Sequence, residues 1–292
     1  MGEIMSKIKE PKTIEEQLNI LKSRNVIIDD VEKGKYILER LNYYRLSAYL
    51  LPFKQANGTY KDGTSLSNVY DIYEFDRKLR SLILSVLEEI EIILRTQLAY
   101  YHSCKYCALA YTNSEMFNRS HKHEDFLSEL NKQIANNSDN LFVNHHKNRY
   151  AGVFPLWVAV ELFTFGMTTR FYTDMLENDM DAFAKSVFNI PKEHLRSWLI
   201  CLTMLRNRCA HYTRIYYFNF NKLPKTFKNS PQHTRKVFDL IFTMKYLYKD
   251  TGKWRSGFLA ELQALIEQYE DSINMCHIGF PYNWHEILYS DK

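Results

Sequence analysis

The chain has 292 residues and a net charge of +4, with 46% hydrophobic and 25% charged residues. That apolar share is enough to build a core and excludes a disordered chain, whereas so small a net charge selects no partner by itself. Nine Gly and seven Pro give too few turns for an all-β sandwich or barrel, so an all-α helical bundle is expected.

The opening stretch, MGEIMSKIKEPKTIEEQL, has no apolar leader, and no run reaches the roughly 18 apolar residues of a membrane span. A cytoplasmic protein without a membrane partner is the expectation. Five cysteines (Cys104, Cys107, Cys201, Cys209, Cys276), an odd count with no export signal, read as reduced thiols.

Taken in chain order, Thr13 and Glu16 form a capping-box pattern that opens a short amphipathic helix through Leu18 and Leu21. A second helix is predicted from about Asp30 to Tyr44. Asn57-Gly58 and Asp62-Gly63 then mark a turn-rich connection with room for a small hairpin around Thr59-Tyr60-Lys61. It divides an N-terminal helical segment, 1–58, from the main body, 59–292, the two expected to form one continuous unit.

From about Leu66 to Tyr101 apolar residues recur at helical spacing with no Gly or Pro, which predicts one long helix. The polar stretch from Cys104 to Tyr150 predicts one helix near Glu124 to Ala135 and the chain's most mobile part. Pro155 and Pro191 open two further helices, the first rich in aromatics with Gly166 as a tolerated interruption or a close-packing point, the second running into Arg206. Helices near Pro231 to Tyr248 and Ser256 to Tyr269 precede an aromatic tail.

The sharpest local pattern is Leu205-Arg206-Asn207-Arg208-Cys209-Ala210-His211, where polar residues end a strongly apolar helix. At ~100° per residue Asn207 and His211 share a face, and Arg206 is offset by roughly 140°. The trio suits cleavage of RNA by its own 2′-hydroxyl. Histidine, with an ordinary pKa of about 6.5, can remove the hydroxyl proton or supply one to the leaving 5′-oxygen. Arg206 would hold the phosphate through its fork of donors, and Asn207 would orient either partner. The scheme needs no metal or other cofactor and yields a 2′,3′-cyclic phosphate and a 5′-hydroxyl. Alone the pattern is weak, because helix C-termini favour basic residues. The same loose spacing recurs in Arg95 and His102, where Glu91, four residues before Arg95, predicts an ordinary intrahelical ion pair.

Between Tyr212 and Arg255 ten basic residues face two acids, a segment charge of +8. Basic groups interleaved with Tyr212, Tyr216, Tyr217, Phe218, Phe220 and Phe227 are what single-stranded RNA binding asks for, although a solvated helix face explains the later lysines equally well. RNA contacts are expected from Arg208, Tyr212, Arg214, Lys222, Lys225 and Lys228, and a phosphate contact from His145, beside His146, Lys147 and Arg149. Cys104, Cys107, His121 and His123 have zinc-ligand chemistry, but the span between them lacks a turn glycine and no metal site is assigned. Tyr43-Tyr44-Arg45 has base-stacking chemistry, yet two tyrosines at a helix end read more simply as core and rim.

Four segments together carry a resemblance: Leu41-Asn-Tyr-Tyr-Arg-Leu-Ser-Ala-Tyr-Leu-Leu-Pro-Phe53; Tyr73-Glu-Phe-Asp-Arg-Lys-Leu-Arg80 with Glu91 and Arg95; Pro155-Leu-Trp157 with Glu161-Leu-Phe-Thr-Phe-Gly166; and Leu205 to His211. Their order and spacing, from about Asn19 to Tyr217, resemble the Abi-like family of bacterial abortive-infection proteins, the AbiD and AbiF group. The resemblance implies a HEPN-type helical fold in which an Arg-x4–6-His motif is a metal-independent ribonuclease site, which puts Arg206, Asn207 and His211 in the catalytic positions. His211-Tyr-Thr-Arg-Ile-Tyr-Tyr stands where that pattern carries a second His and an Asn.

The expectation is therefore an endoribonuclease toxin or phage-defence effector. The alternative is a non-catalytic RNA-binding protein of the same fold, held with a regulatory small RNA. A scaffold that binds only protein would leave the basic aromatic segment unexplained. One motif supplies one histidine, whereas in-line displacement gains from an acid and a base on opposite sides of phosphorus. A homodimer with two motif helices across one cleft is expected, with Arg95 and His102 as the competing, internal source of a second motif.

Overall fold

The protein is described from a computed structural model over residues 10–291; the leaderless reading of residues 1–9 lies outside the described residues. Thr13 caps α1 (Ile14–Ser23): its hydroxyl accepts from the Glu16 N–H at 3.2 Å and its own N–H donates to the Glu16 carboxylate at 2.8 Å. Asp30 caps α2 (Val31–Arg40) through the Glu32 and Lys33 N–H groups. Gly34 lets α1 lie close on α2, since a Cβ there would stand 3.0 Å from a Leu18 methyl.

The predicted second helix does not run on to Tyr44. Leu41 takes extended backbone, and the Asn42 side chain accepts from the Tyr44 N–H at 2.8 Å, which starts a new helix, α3 (Tyr43–Tyr49). The break turns α3 back onto the main body. A tight reversal follows, with a lone antiparallel bridge between Lys54 and Tyr60, at the place where a hairpin had room to form.

Ser65 caps α4 (Leu66–Lys105), whose 40 residues span ~60 Å. Its buried stripe (Val69, Ile72, Phe75, Leu79, Ile83, Leu87, Ile90, Leu94, Leu98) repeats every three or four residues, so one face stays in the core along most of the helix. Helices from both sides pack on it, including α2 and α3. Leu18, Leu21, Ile37 and Tyr49 of the N-terminal segment belong to the same buried cluster as α4.

The segment from Cys104 to Tyr150 holds more structure than its polarity predicts: α5 (His123–Asn136) is joined by α6 (Leu141–Arg149) and short 3-10 turns. Each of these helices anchors through few apolar residues, Phe126 and Leu130 in α5 and Val143 in α6. Pro155 begins α7 (Leu156–Ala159), which tightens to a 3-10 turn before Thr164 caps α8 (Phe165–Asp174). Thr164, not Gly166, makes the interruption.

A helix not foreseen, α9 (Glu177–Phe183), precedes α10 (Lys192–Ala210), which begins after Pro191 as predicted. The next helix starts six residues later than expected, as α11 (Val237–Leu247). The Asp239 carboxylate accepts from the Thr234 and Arg235 N–H groups and holds the preceding chain in a non-helical loop. The helix α12 (Thr251–Lys253), a π turn and α13 (Ala260–Gln268) follow, and the aromatic tail folds into α14 (Trp284–Tyr289).

Among the described residues there is no sheet, so the fold is all-α. Among the described residues no helix is long and apolar enough to cross a membrane.

Candidate active site

The motif sits at the end of α10, which packs on α4 and α8. Leu195, Trp198, Leu199, Leu202 and Leu205 bury one face of α10, leaving its last turn to carry the polar groups. The helix ends in a Schellman cap. The Tyr212 N–H bonds to the Cys209 carbonyl and the Thr213 N–H to the Arg208 carbonyl, at 3.1 and 2.8 Å. Tyr212 occupies the left-handed position of that cap at φ 56°, where glycine is the usual residue.

Asn207, Arg208 and His211 line one open cleft of about 650 Å³ between α5, α8 and the end of α10. Asn207 and His211 are exposed and neither makes a side-chain hydrogen bond among the described residues, so both are free to meet a ligand. The opposite wall carries Arg170, ion-paired with Glu129, and the floor holds a Thr169–Thr203 hydroxyl contact of 2.7 Å. Sequence reasoning missed these four residues. Arg170 stood one turn beyond the Glu161–Gly166 block, with nothing local to mark it.

Arg206 does not line this cleft. As its offset predicts, it faces α4, where its Nε stands 3.7 Å from the Glu91 carboxylate. Glu91 is also ion-paired with Arg95, the intrahelical pair expected from their spacing. Burial pushes the Glu91 carboxyl above its ordinary range, against the pull of Arg95 and Arg206. Arg206 remains about one-third exposed.

The loop after the cap is fastened to the body. Buried Asp76 of α4 accepts from the Ile215 and Tyr216 N–H groups at 3.1 and 2.7 Å, from the Tyr49 hydroxyl at 2.6 Å and from Arg80. Arg208 donates to the Arg214 carbonyl at 2.8 Å and lies 3.5 Å over the Phe218 ring. Burial lowers the pKa of both Arg208 and Arg214, and the Arg214 charge adds to the effect on Arg208.

The RNA-contact candidates separate accordingly. Lys222 lines the cleft, and Lys222 with Lys225 lines a groove that continues along α10 past Ile200 and Arg196. The Trp198 indole donates to the Lys225 carbonyl at 2.6 Å, which lays this loop against the helix. Lys228 is exposed beyond both cavities. Arg214 is half-buried, and Tyr212 lines a different pocket from His211. His145 is exposed on α6, its ring beside His146 and Tyr150, and is not part of the cleft wall. Several aromatics of the basic segment are committed inside: Tyr216 and Phe220 are buried, and Phe227 stacks on His194 at 4.4 Å.

The zinc-like residues do not converge. Cys104 and Cys107 are exposed, His121 bonds Asp174, and His123 bonds the Thr112 carbonyl, and no metal-holding group forms among the described residues. His102 is fully buried among Tyr106, Phe117 and Phe171, where it has no access to a substrate.

Compared with families of known proteins, residues 36–217 match the model for Abi-like proteins, a span from α2 to just past the α10 cap. The chain belongs to the Abi-like family. Membership points to abortive infection, a form of phage defence. The Abi-like match includes the whole motif and both walls of the cleft, but not the lysines from Lys222 onward. Neither a curated protein nor a solved structure matches the chain.

Proposed function

We propose that this Abi-like protein is a HEPN-type, metal-independent endoribonuclease that acts as a toxin in abortive infection, cutting RNA in the cleft at the end of α10. The observation that carries the reading is the pairing of Asn207 and His211, both unengaged, on one wall of a cleft whose other charged groups are mainly cationic. His211 moves the proton of the 2′-hydroxyl or of the leaving 5′-oxygen, and Asn207 orients the group that His211 serves. Arg208, Arg170 and Lys222 draw the phosphate in. Arg206 is held by one contact beyond hydrogen-bond length, so its fork is available to a phosphate that approaches the helix end.

The cut RNA should carry 2′,3′-cyclic phosphate and 5′-hydroxyl ends, and cleavage should persist in EDTA. Mapping fragment ends after incubation with and without chelator checks both. Ends bearing 5′-phosphate, or activity that returns only with added metal, would contradict the side-chain mechanism.

One observation favours a second reading. Arg206 lies away from the His211 cleft, as it would in a protein that binds a regulatory RNA without cutting it. In that case the wild-type protein retains RNA and releases it intact.

A further inference from the structure

His211 and Tyr212 are neighbours in sequence, yet the left-handed turn at Tyr212 sends them into different cavities. The second cavity, about 520 Å³, is walled by Arg40, Arg45, Arg77 and Arg80, with Tyr73 and Tyr212 among its other lining residues, and no carboxylate lines it. Two of the four guanidinium groups are neutralised from behind: Arg77 bonds the Glu74 carboxylate at 3.0 and 2.9 Å, and Arg80 pairs with Asp76. Arg40 and Arg45 have no acidic partner among the described residues. Arg40 lies 4.2 Å over the Tyr36 ring, and one Arg45 nitrogen donates to the Tyr212 carbonyl at 2.8 Å. The pocket therefore holds a surplus of two positive charges.

Neighbouring guanidinium groups with no carboxylate between them repel each other, and a tetrahedral oxyanion relieves that repulsion while matching their planar forks. Tyr212, 69% exposed at the rim, offers a ring face to an unstacked base. Arg45 also grips the carbonyl next to His211, so a ligand in this pocket bears on the residue that fixes the cap.

We propose that the pocket of Arg40, Arg45 and Arg77 is a second anion site, which seats a backbone phosphate of the polynucleotide strand that crosses the α10 cap from the His211 cleft. The identity of the occupant rests on the ribonuclease reading; the charge surplus does not. A phosphate held here fixes the strand on one side of the cap while the scissile bond lies on the other. Tyr43-Tyr44-Arg45, which reads as core and rim in sequence, supplies one of its anchors.

The test uses a labelled single-stranded 2′-O-methyl RNA, which has no free 2′-hydroxyl to attack. Its affinity for the full chain is measured by anisotropy as a function of salt. Losing one phosphate contact lowers the log–log salt slope by about 0.7, which is about a fivefold loss of affinity at 0.1 M salt for proteins that bind alike at 1 M. Arg40→Gln combined with Arg45→Gln should show a loss of that size or greater. Arg40→Gln alone, which breaks no hydrogen bond, should shift the slope the same way with an unchanged melting temperature. An unchanged slope in the double variant overturns the proposal. A second arm titrates inorganic pyrophosphate. If the double variant loses pyrophosphate binding but holds the oligonucleotide as wild type does, the site serves a free phosphate compound and the polynucleotide occupant is excluded. Should the wild type bind the oligonucleotide through these arginines yet leave ordinary RNA uncut, the cleavage reading falls and the anion site stands.

Discussion

Single residues divide into those left open for a ligand and those spent on the fold. The Asn207 and His211 side chains make no hydrogen bond among the described residues, whereas Arg214 is half-buried behind the cap and Arg208 both ties that loop to the helix end and lines the cleft. His102 shows the opposite extreme. Burial holds its imidazole down at about 4, against 6.5 for an ordinary histidine. As pH falls below 6.5 the unfolded chain takes up this proton first, so the contribution of neutral His102 is whole above pH 6.5 and drains away between 6.5 and 4. Summed over that window it is on the order of 3 kcal/mol. Urea melts of wild type and His102→Phe should therefore diverge as pH is lowered through this range, the wild type losing more stability; parallel curves would show that burial leaves His102 at its ordinary value.

At the scale of elements, the sequence was most legible where one physical signal acted alone. The α4 stripe has an unbroken period with no Gly or Pro, and Thr13 and Pro191 mark helix starts by local chemistry. Prediction failed where a distant or competing group decided. Asn42 breaks a helix that hydropathy would continue, and the Asp239 carboxylate delays α11 by capturing backbone N–H groups before it. The candidate site was legible as a helix end but not as a cleft, because its other wall comes from α5 and α8. The joint between α4 and the cap loop was not legible at all: Asp76 meets Ile215 and Tyr216 from 139 and 140 residues away. Asp76→Ala strands two buried N–H groups and leaves Arg80 without its counter-charge, a loss of about 3–5 kcal/mol. Equilibrium denaturation reads this directly, and a cost below about 1 kcal/mol would mean that the carboxylate does not fasten the loop.

For the whole molecule, the proposed cleavage calls for both an acid and a base, and one motif supplies a single histidine. The internal candidate is gone, since His102 lies sealed in an aromatic cluster. We propose that a homodimer across the cleft supplies the second histidine; activity per chain should then fall on dilution together with the mass seen by light scattering. Activity that stays constant while the mass drops to one chain would place both proton transfers within a single copy. All-α architecture and Abi-like membership frame this account, but its centre is His211. The most direct measurement compares single-turnover cleavage of a defined RNA by wild type and His211→Ala at equal folded fraction. Loss of a general acid or base costs about 10²–10⁴ in rate, so the variant should be slower by that factor with RNA binding retained. Cleavage by His211→Ala at the wild-type rate would contradict the account.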